Sequence, residues 1–411
     1  MIGYRKGILL SIVTLSLLFA KAVPPASADV VTDWDKTACD VVMELKPPPA
    51  AIRALAVVET AVYEALNAVT AKYPASALGV APSPGASVDA AVAAAMRATL
   101  TKLVPSQAAA VEAAYAAALQ KIPEGAPKSD GIAVGERAAG AVMASRADDM
   151  VMAADSYRPA TAPGVYVPTV TPAAANWSQC KPWLMTRADQ FRPGPPPKLA
   201  SKAWARDYNE IKAIGSKNST TRTTEQTEIA RFWETTGPAI YHGVVRSLAD
   251  VPGREVTRNA RLLAAVSQAC EDAAIAVFDA KYRYALWRPV TAIRNGDRDG
   301  NTATERDSAW TPFIETPMHP EYPCAHCILS ATVGTVLRGD AGDGPMPTLT
   351  TTSPTANGAS RSWTSIDDFM QEVANARIYD GVHYRNSAEV GTAMGKQVGA
   401  LAVAKLLTAP K

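Results

Sequence analysis

The chain has 411 residues, 48% of them apolar, and a formal net charge of +2. Length and apolar content suit one large domain or two ordinary ones and exclude a disordered chain. The near balance of charge leaves no electrostatic footprint for nucleic acid.

The N-terminus reads as a secretory signal. Arg5 and Lys6 form a positive n-region, and Gly7 to Ala20 is an apolar stretch short for a membrane span. Ala26-Ser27-Ala28 places small residues before Asp29 for cleavage. An uncleaved anchor is the alternative. No later stretch is apolar enough to span a bilayer, so residues 1–28 are expected to be removed and the mature protein to be periplasmic or extracellular. All five cysteines, Cys39, Cys180, Cys270, Cys324 and Cys327, lie beyond that segment. Export permits disulfides, although an odd number leaves one thiol over. With four histidines in all, a zinc site of the usual Cys/His spacing is not expected.

Helical periodicity dominates the rest of the chain. Ile52 to Val69, Ser87 to Val104 and Asp130 to Ser145 each read as helices, and Ser106 as the N-cap of another through Lys121. Between Arg158 and Pro197 recurrent prolines exclude a helix. The interleaved Tyr166, Trp177 and Trp183 suggest an ordered connection wrapping the surface. Helices resume near Ser201. Thr224 to Thr235 is short, with Thr223 or Thr224 as cap; Glu255 to about Ile293 is long and strongly periodic. Ile328 to Leu337, Ile366 to Tyr379 and Ala388 to Leu407 complete the chain. Asn295 to Met318 and Gly339 to Ser360 read as loops, and no alternating run calls for a sheet. The expectation is all-α with two helical bundles: 29–155, a connection at 156–200, and 201–411 carrying the site.

Three stretches carry chemistry. In Lys281-Tyr282-Arg283-Tyr284-Ala285-Leu286-Trp287-Arg288-Pro289 two cations stand seven apart, nearly on one face if the helix is continuous. Buried, they need an anion; exposed, they are a basic stripe. Pro320-Glu321-Tyr322-Pro323-Cys324-Ala325-His326-Cys327 is a turn feeding a helix N-terminus, a natural anion site. In Arg377-Ile378-Tyr379-Asp380-Gly381-Val382-His383-Tyr384-Arg385 the glycine can end one helix and turn Arg377 and His383 toward one centre. Each has a plain structural alternative when taken alone.

Together, Lys-x6-Arg-Pro, Pro-x-x-His and Arg-x5-His, in that order, resemble the three-part signature of the vanadium-haloperoxidase and type-2 phosphatidic-acid-phosphatase superfamily. The flanks, such as Trp287-Arg288-Pro289-Val290-Thr291-Ala292-Ile293 and His319-Pro320-Glu321-Tyr322-Pro323, are similar to its soluble bacterial branch. The resemblance implies that Lys281, Arg288, Cys324, Ala325 and Arg377 bind an oxyanion. His383 would be the axial ligand of vanadate or the nucleophile on phosphorus, and His326 the general acid/base. It implies vanadate as cofactor with hydrogen peroxide and halide as substrates, or phosphate bound in a soluble phosphatase that acts on a small phosphoester through a phosphohistidine. A non-catalytic exported phosphate or vanadate binder is a third reading, and a homodimer the default assembly.

Where the family usually has Pro-Ser-Gly-His, this chain has Pro323-Cys324-Ala325-His326, replacing a hydroxyl donor by a thiol. Ala325 would be strained if the turn needs positive φ. Ser387 stands where an acidic residue often follows the histidine, so His383 has no evident orienting partner, and Asp380 adds negative charge. Cys324-x-x-Cys327 at a helix N-terminus also fits a redox pair or a disulfide. His242 reads as structural and His319 as a support behind the pocket.

Overall fold

The computed structural model describes residues 29–149 and 157–408. The expected signal segment, 1–28, lies outside the described residues. Five α-helices form the first half: α1 (Val30–Val42), α2 (Pro48–Thr70), α3 (Val88–Leu103), α4 (Ala108–Gln120) and α5 (Ala126–Ser145). Eight follow the connection: α6 (Lys202–Ile214), α7 (Thr224–Phe232), α8 (Pro238–Ala249), α9 (Val256–Tyr284), α10 (Pro289–Arg294), α11 (Ala325–Ala341), α12 (Ile366–Tyr379) and α13 (Arg385–Ala402). None of the described helices is long and apolar enough to cross a membrane.

Local chemistry accounts for several boundaries. Thr223 caps α7 through a capping box with Gln226, and Pro48 occupies the start of α2, where its missing N–H costs nothing. Ser106 is not the cap of α4: Pro105–Gln107 winds into a 3-10 turn, and α4 starts after Gln107 without a side-chain cap.

The halves share one core. A single buried apolar cluster runs from Val31 to Ala402, with α2 packed on α9. Between α11 and α13 the approach is close because Gly391, Gly395 and Gly399, four apart, face α11. A Cβ at these positions would collide with the carbonyls of Cys324, Ile328 and Thr332. This contact fixes the start of α11, where the second motif sits.

The proline-rich connection is ordered over its described part. The N–H groups of Trp183, Leu184 and Met185 all donate to the buried Asp272 carboxylate at 2.6–2.8 Å. Arg192 makes a bidentate pair with Asp279 at 2.6 and 2.7 Å.

Two further expectations are corrected. The loop at 339–360 contains strand β1 (Leu349–Ser353), paired antiparallel with β2 (Ala359–Trp363). Its threonines gave no apolar alternation; Thr351 and Ser353 instead anchor it by donating to the carbonyls of Ile240 and Phe232. The long helix expected from Glu255 to Ile293 ends at Tyr284. Ala285 turns left-handed (φ 46°), and the next residues pair with the connection: Tyr166 N–H donates to Ala285 O, and Trp287 N–H to Gly164 O.

Candidate oxyanion site

Because of that break, Lys281 and Arg288 do not share a helix face. Lys281 closes the last turn of α9, and Arg288 is the N-cap of α10. Both are buried nonetheless, as is Arg377 near the end of α12. Lys281 Nζ donates to the carbonyls of Pro320 (3.0 Å) and Glu321 (2.9 Å). Arg288 donates to the carbonyls of His319 (2.8 Å) and Val382 (2.9 Å). Its two terminal nitrogens lie 2.9 Å from His319 Nδ1 and 3.3 Å from His383 Nε2. Arg377 donates to Trp233 O (2.6 Å) and pairs with Asp380 (2.7 Å), while its buried Nε has no hydrogen-bond partner.

Gly381 makes the third motif possible. At φ 85° it turns the chain after α12, and a Cβ there would collide with Gly215 O. His383 N–H then donates back to Arg377 O at 3.0 Å. The ring's Nδ1 lies 2.8 Å from Glu321 Oε1, which also accepts the Tyr384 N–H at 3.0 Å. Glu321 is therefore the orienting partner that the sequence did not disclose. It draws the proton to Nδ1 and leaves the Nε2 lone pair toward Arg288. Ser387 Oγ is peripheral, 3.5 Å from Nδ1. His326, in the first turn of α11, has Nε2 3.2 Å from Thr235 O.

Burial is the largest influence on the protonation of Lys281, Arg288, Glu321, Asp380 and the three histidines. It pushes Lys281 well below its ordinary value, helped by the Arg288 and Arg377 charges, and lowers Arg288 to about 10. His319, His326 and His383 are all held well below the usual imidazole range, by burial first and neighbouring cations second. Glu321 and Asp380 are raised by burial to about 7, against the pull of Lys281 and Arg288 on the first and Arg377 on the second. Three buried cations and three neutral imidazoles face two carboxyls that resist ionising, an electrostatic demand for an anion.

A family model described as the second helical-bundle domain of VCPO matches residues 261–409, a stretch containing all three motifs. The vanadium chloroperoxidase of Curvularia inaequalis is 25% identical over 182 residues, 37% of this chain. That match spans only 30% of the curated relative's length. The crystal structure of the first bacterial vanadium-dependent iodoperoxidase has the same fold: TM-score 0.78 at 24% identity, over 92% of this chain and 97% of that one. The second helical bundle is thus similar to that of VCPO, and the described chain shares the fold of the bacterial vanadium haloperoxidases. A holo-type bacterial vanadium-dependent chloroperoxidase is similar over 88% of this chain and 92% of its own, at TM-score 0.74 and 18% identity.

Against the superfamily's signature the second motif needs correction. Cys324 and Cys327 are joined by a disulfide, so Cys324 has no thiol proton to give an oxyanion. The pair packs with Ala374 and Ala388 in a small apolar cluster. Cys324 Sγ caps α11 by accepting the Cys327 N–H at 3.2 Å. Ala325 is the first residue of α11 and is not among the positive-φ residues, so the strain expected there is absent.

Proposed function

We propose that this protein is a vanadate-dependent haloperoxidase-like enzyme that oxidises halide with hydrogen peroxide. The observation that carries the reading is the setting of His383: Nδ1 engaged by Glu321, Nε2 turned to Arg288, and burial and cations keeping the ring neutral. A neutral imidazole whose Nε2 lone pair faces the cage cations is what a residue that would hold an oxyanion centre needs.

The residues present fit such a group. Lys281, Arg288 and Arg377 are buried cations, and the partnerless Nε of Arg377 is a donor that a bound oxyanion would satisfy. When bound, vanadate supplies the Lewis acidity that activates hydrogen peroxide toward a halide. The chain's own part is binding and proton handling. Lys281, Arg288 and Arg377 hold the oxyanion charge, and His383 Nε2 anchors it. His326, donating from Nε2 to Thr235 O, keeps Nδ1 to take a proton from hydrogen peroxide and return it to the departing oxygen. The net change is halide, hydrogen peroxide and a proton giving hypohalous acid and water. The signal-like segment before Asp29 supports action outside the cytoplasm.

The test is bromination of a dye by the purified protein with hydrogen peroxide and bromide, with and without orthovanadate. Turnover that needs vanadate and is lost in His383→Ala supports the reading. Its absence, together with vanadate-inhibited hydrolysis of a phosphoester, would assign the protein to the phosphatases instead.

A further inference from the structure

A cavity of about 1060 Å³ opens between the two halves of the chain, away from the oxyanion cage. It is lined by the second half of α2 and the loop after it, the end of α5, the proline-rich connection, the first half of α9 and the C-terminal turn Val403–Leu407. Gln268 is its α9 residue nearest the cage along the helix, and it precedes Lys281 by about 20 Å of α-helical rise. None of the described lining residues belongs to the three motifs. A volume of this order stands at the upper end of those that hold organic ligands.

Side chains fix the walls in place. Asn67 holds the loop after α2, donating to the carbonyls of Tyr73 (3.0 Å) and Pro74 (3.3 Å) and accepting the Tyr73 N–H (2.8 Å). Lys405 Nζ donates to Leu184 O at 2.5 Å, which ties the C-terminal turn to the connection. Two of the lining rings each carry a guanidinium on one face: Arg261 lies 4.1 Å from the Tyr73 centroid and Arg146 lies 4.1 Å from that of Trp183.

The charge of the lining is one-sided. Arg146, Lys181, Arg261 and Lys405 stand against a single carboxylate among the described residues, Glu64. Ser76 Oγ already donates to that carboxylate at 2.7 Å, and Asp149 pairs with Arg146. Among the described residues Lys181 and Lys405 donate only to backbone carbonyls, and the Arg261 guanidinium has no ion-pair or hydrogen-bond partner. An inorganic anion would match these charges and leave the aromatic wall uncovered. A neutral aromatic molecule would cover the wall and leave the cations unpaired. An anion on a flat apolar body does both, with Arg supplying paired N–H donors and the rings supplying stacking area.

We propose that this cavity is a second ligand site, distinct from the cage, that binds an aromatic organic anion: a carboxylate or sulfonate carried on a flat apolar body. The acid group is taken by Arg261 with Lys181 and Lys405, and the ring system packs on the wall built by Tyr63, Tyr73 and Trp183. The site does not rest on the haloperoxidase reading, because it shares no residue with the cage and its occupant needs no turnover.

The probes are 1-naphthoate, its neutral isostere 1-naphthamide, and decanoate, which carries the charge without the rings. Binding is read by calorimetry on the full protein without peroxide, with orthovanadate present to compete for the cage. Naphthoate is expected to bind about tenfold tighter than either comparison probe and to weaken as salt rises from about 0.05 to about 0.5 M. It is expected to lose about five- to tenfold in Arg261→Gln, whose folding is checked by circular dichroism. Lys405→Gln, on the exposed C-terminal turn, is a second variant with the same direction of loss. No naphthoate binding to the folded wild-type protein, or equal binding of naphthoate and naphthamide, overturns the proposal. Decanoate bound as tightly as naphthoate overturns the aromatic class. Naphthoate affinity unchanged in both folded variants but lost in Arg377→Gln would place the ligand in the cage and overturn the second site.

Discussion

Glu321 Oε1 lies 2.8 Å from His383 Nδ1 and 3.0 Å from the Tyr384 amide, so one carboxylate oxygen holds both the ring and the turn that carries it. Its other oxygen is buried without a hydrogen-bond partner. Replacing Glu321 by Gln keeps the shape but removes the charge that favours the Nδ1 proton. Outer partners of ligating histidines are worth about 10–100-fold in affinity or activity. Glu321→Gln is expected to lower vanadate-dependent bromination by that factor while leaving the fold intact by circular dichroism. Unchanged kcat and unchanged vanadate affinity would remove Glu321 from its positioning role.

Oxyanion affinity should rise as pH falls through neutrality. Asp380 and Glu321 are each raised to about 7, by burial before any other cause. Protonating either one removes negative charge from the cage. The charged groups acting on Asp380 are Arg377, Arg288 and Glu234, and only the last is acidic. Calorimetric titration with sulfate, which does not itself titrate near neutrality, should show tightening on going from about pH 8 to about pH 6. Asp380→Asn should bind sulfate roughly five- to tenfold tighter at the higher pH and flatten the profile. A profile of the same slope in that variant would show that Asp380 stays charged beside Arg377.

Elements whose cause is local were legible in the sequence. Ile366–Tyr379 has the bounds its periodicity predicts, with Ser365 as cap, and α2 and α3 differ from expectation by a few residues at most. What failed depends on distant partners. The end of α9 is set by pairing of residues 285–287 with 164–166, and an alanine in the left-handed region gives no warning of it. The five motif cations and histidines were found because their order in the chain is distinctive. Glu321 was missed because it meets His383 from 62 residues away, and no helical or strand period relates the two. Its one signal was a lone carboxylate in the turn between Pro320 and Pro323.

The Cys324–Cys327 disulfide is expected to stabilise the fold and to contribute little to anion binding. Its sulfurs lie against Ala374 and Ala388, while the donors of the cage come from Lys281, Arg288 and Arg377. Closing so small a loop is worth about 2 kcal/mol on the chain-entropy account. Reduction should therefore lower Tm by a few degrees. Sulfate affinity measured below the new transition should stay within about twofold. A tenfold gain in affinity on reduction would instead mean that the Cys324 thiol turns into the cage and donates there, as the superfamily's serine is expected to do.

A second buried polar group lies away from the site, between α1, α2 and α8. Asp35 Oδ1 is 2.5 Å from His242 Nδ1, and its other oxygen pairs with Arg246. Desolvation raises Asp35, but His242 and Arg246 outweigh it and leave the carboxylate lowered. Glu59, fully buried beside Asp35, is raised well above its ordinary value by burial and then by the Asp35 charge. Glu59 is thus protonated in the fold and ionised in the unfolded chain above about pH 4.5, the ordinary carboxyl value. Between that pH and its folded value the native state binds the extra proton, so stability falls as pH rises. Glu59→Gln keeps a donor toward Asp35 and abolishes this loss. The variant should match the wild-type Tm near pH 4 and exceed it by about 1–3 °C near pH 8. A variant less stable than wild type at both pH values would show that Glu59 is ionised in the fold, with Arg246 serving both carboxylates.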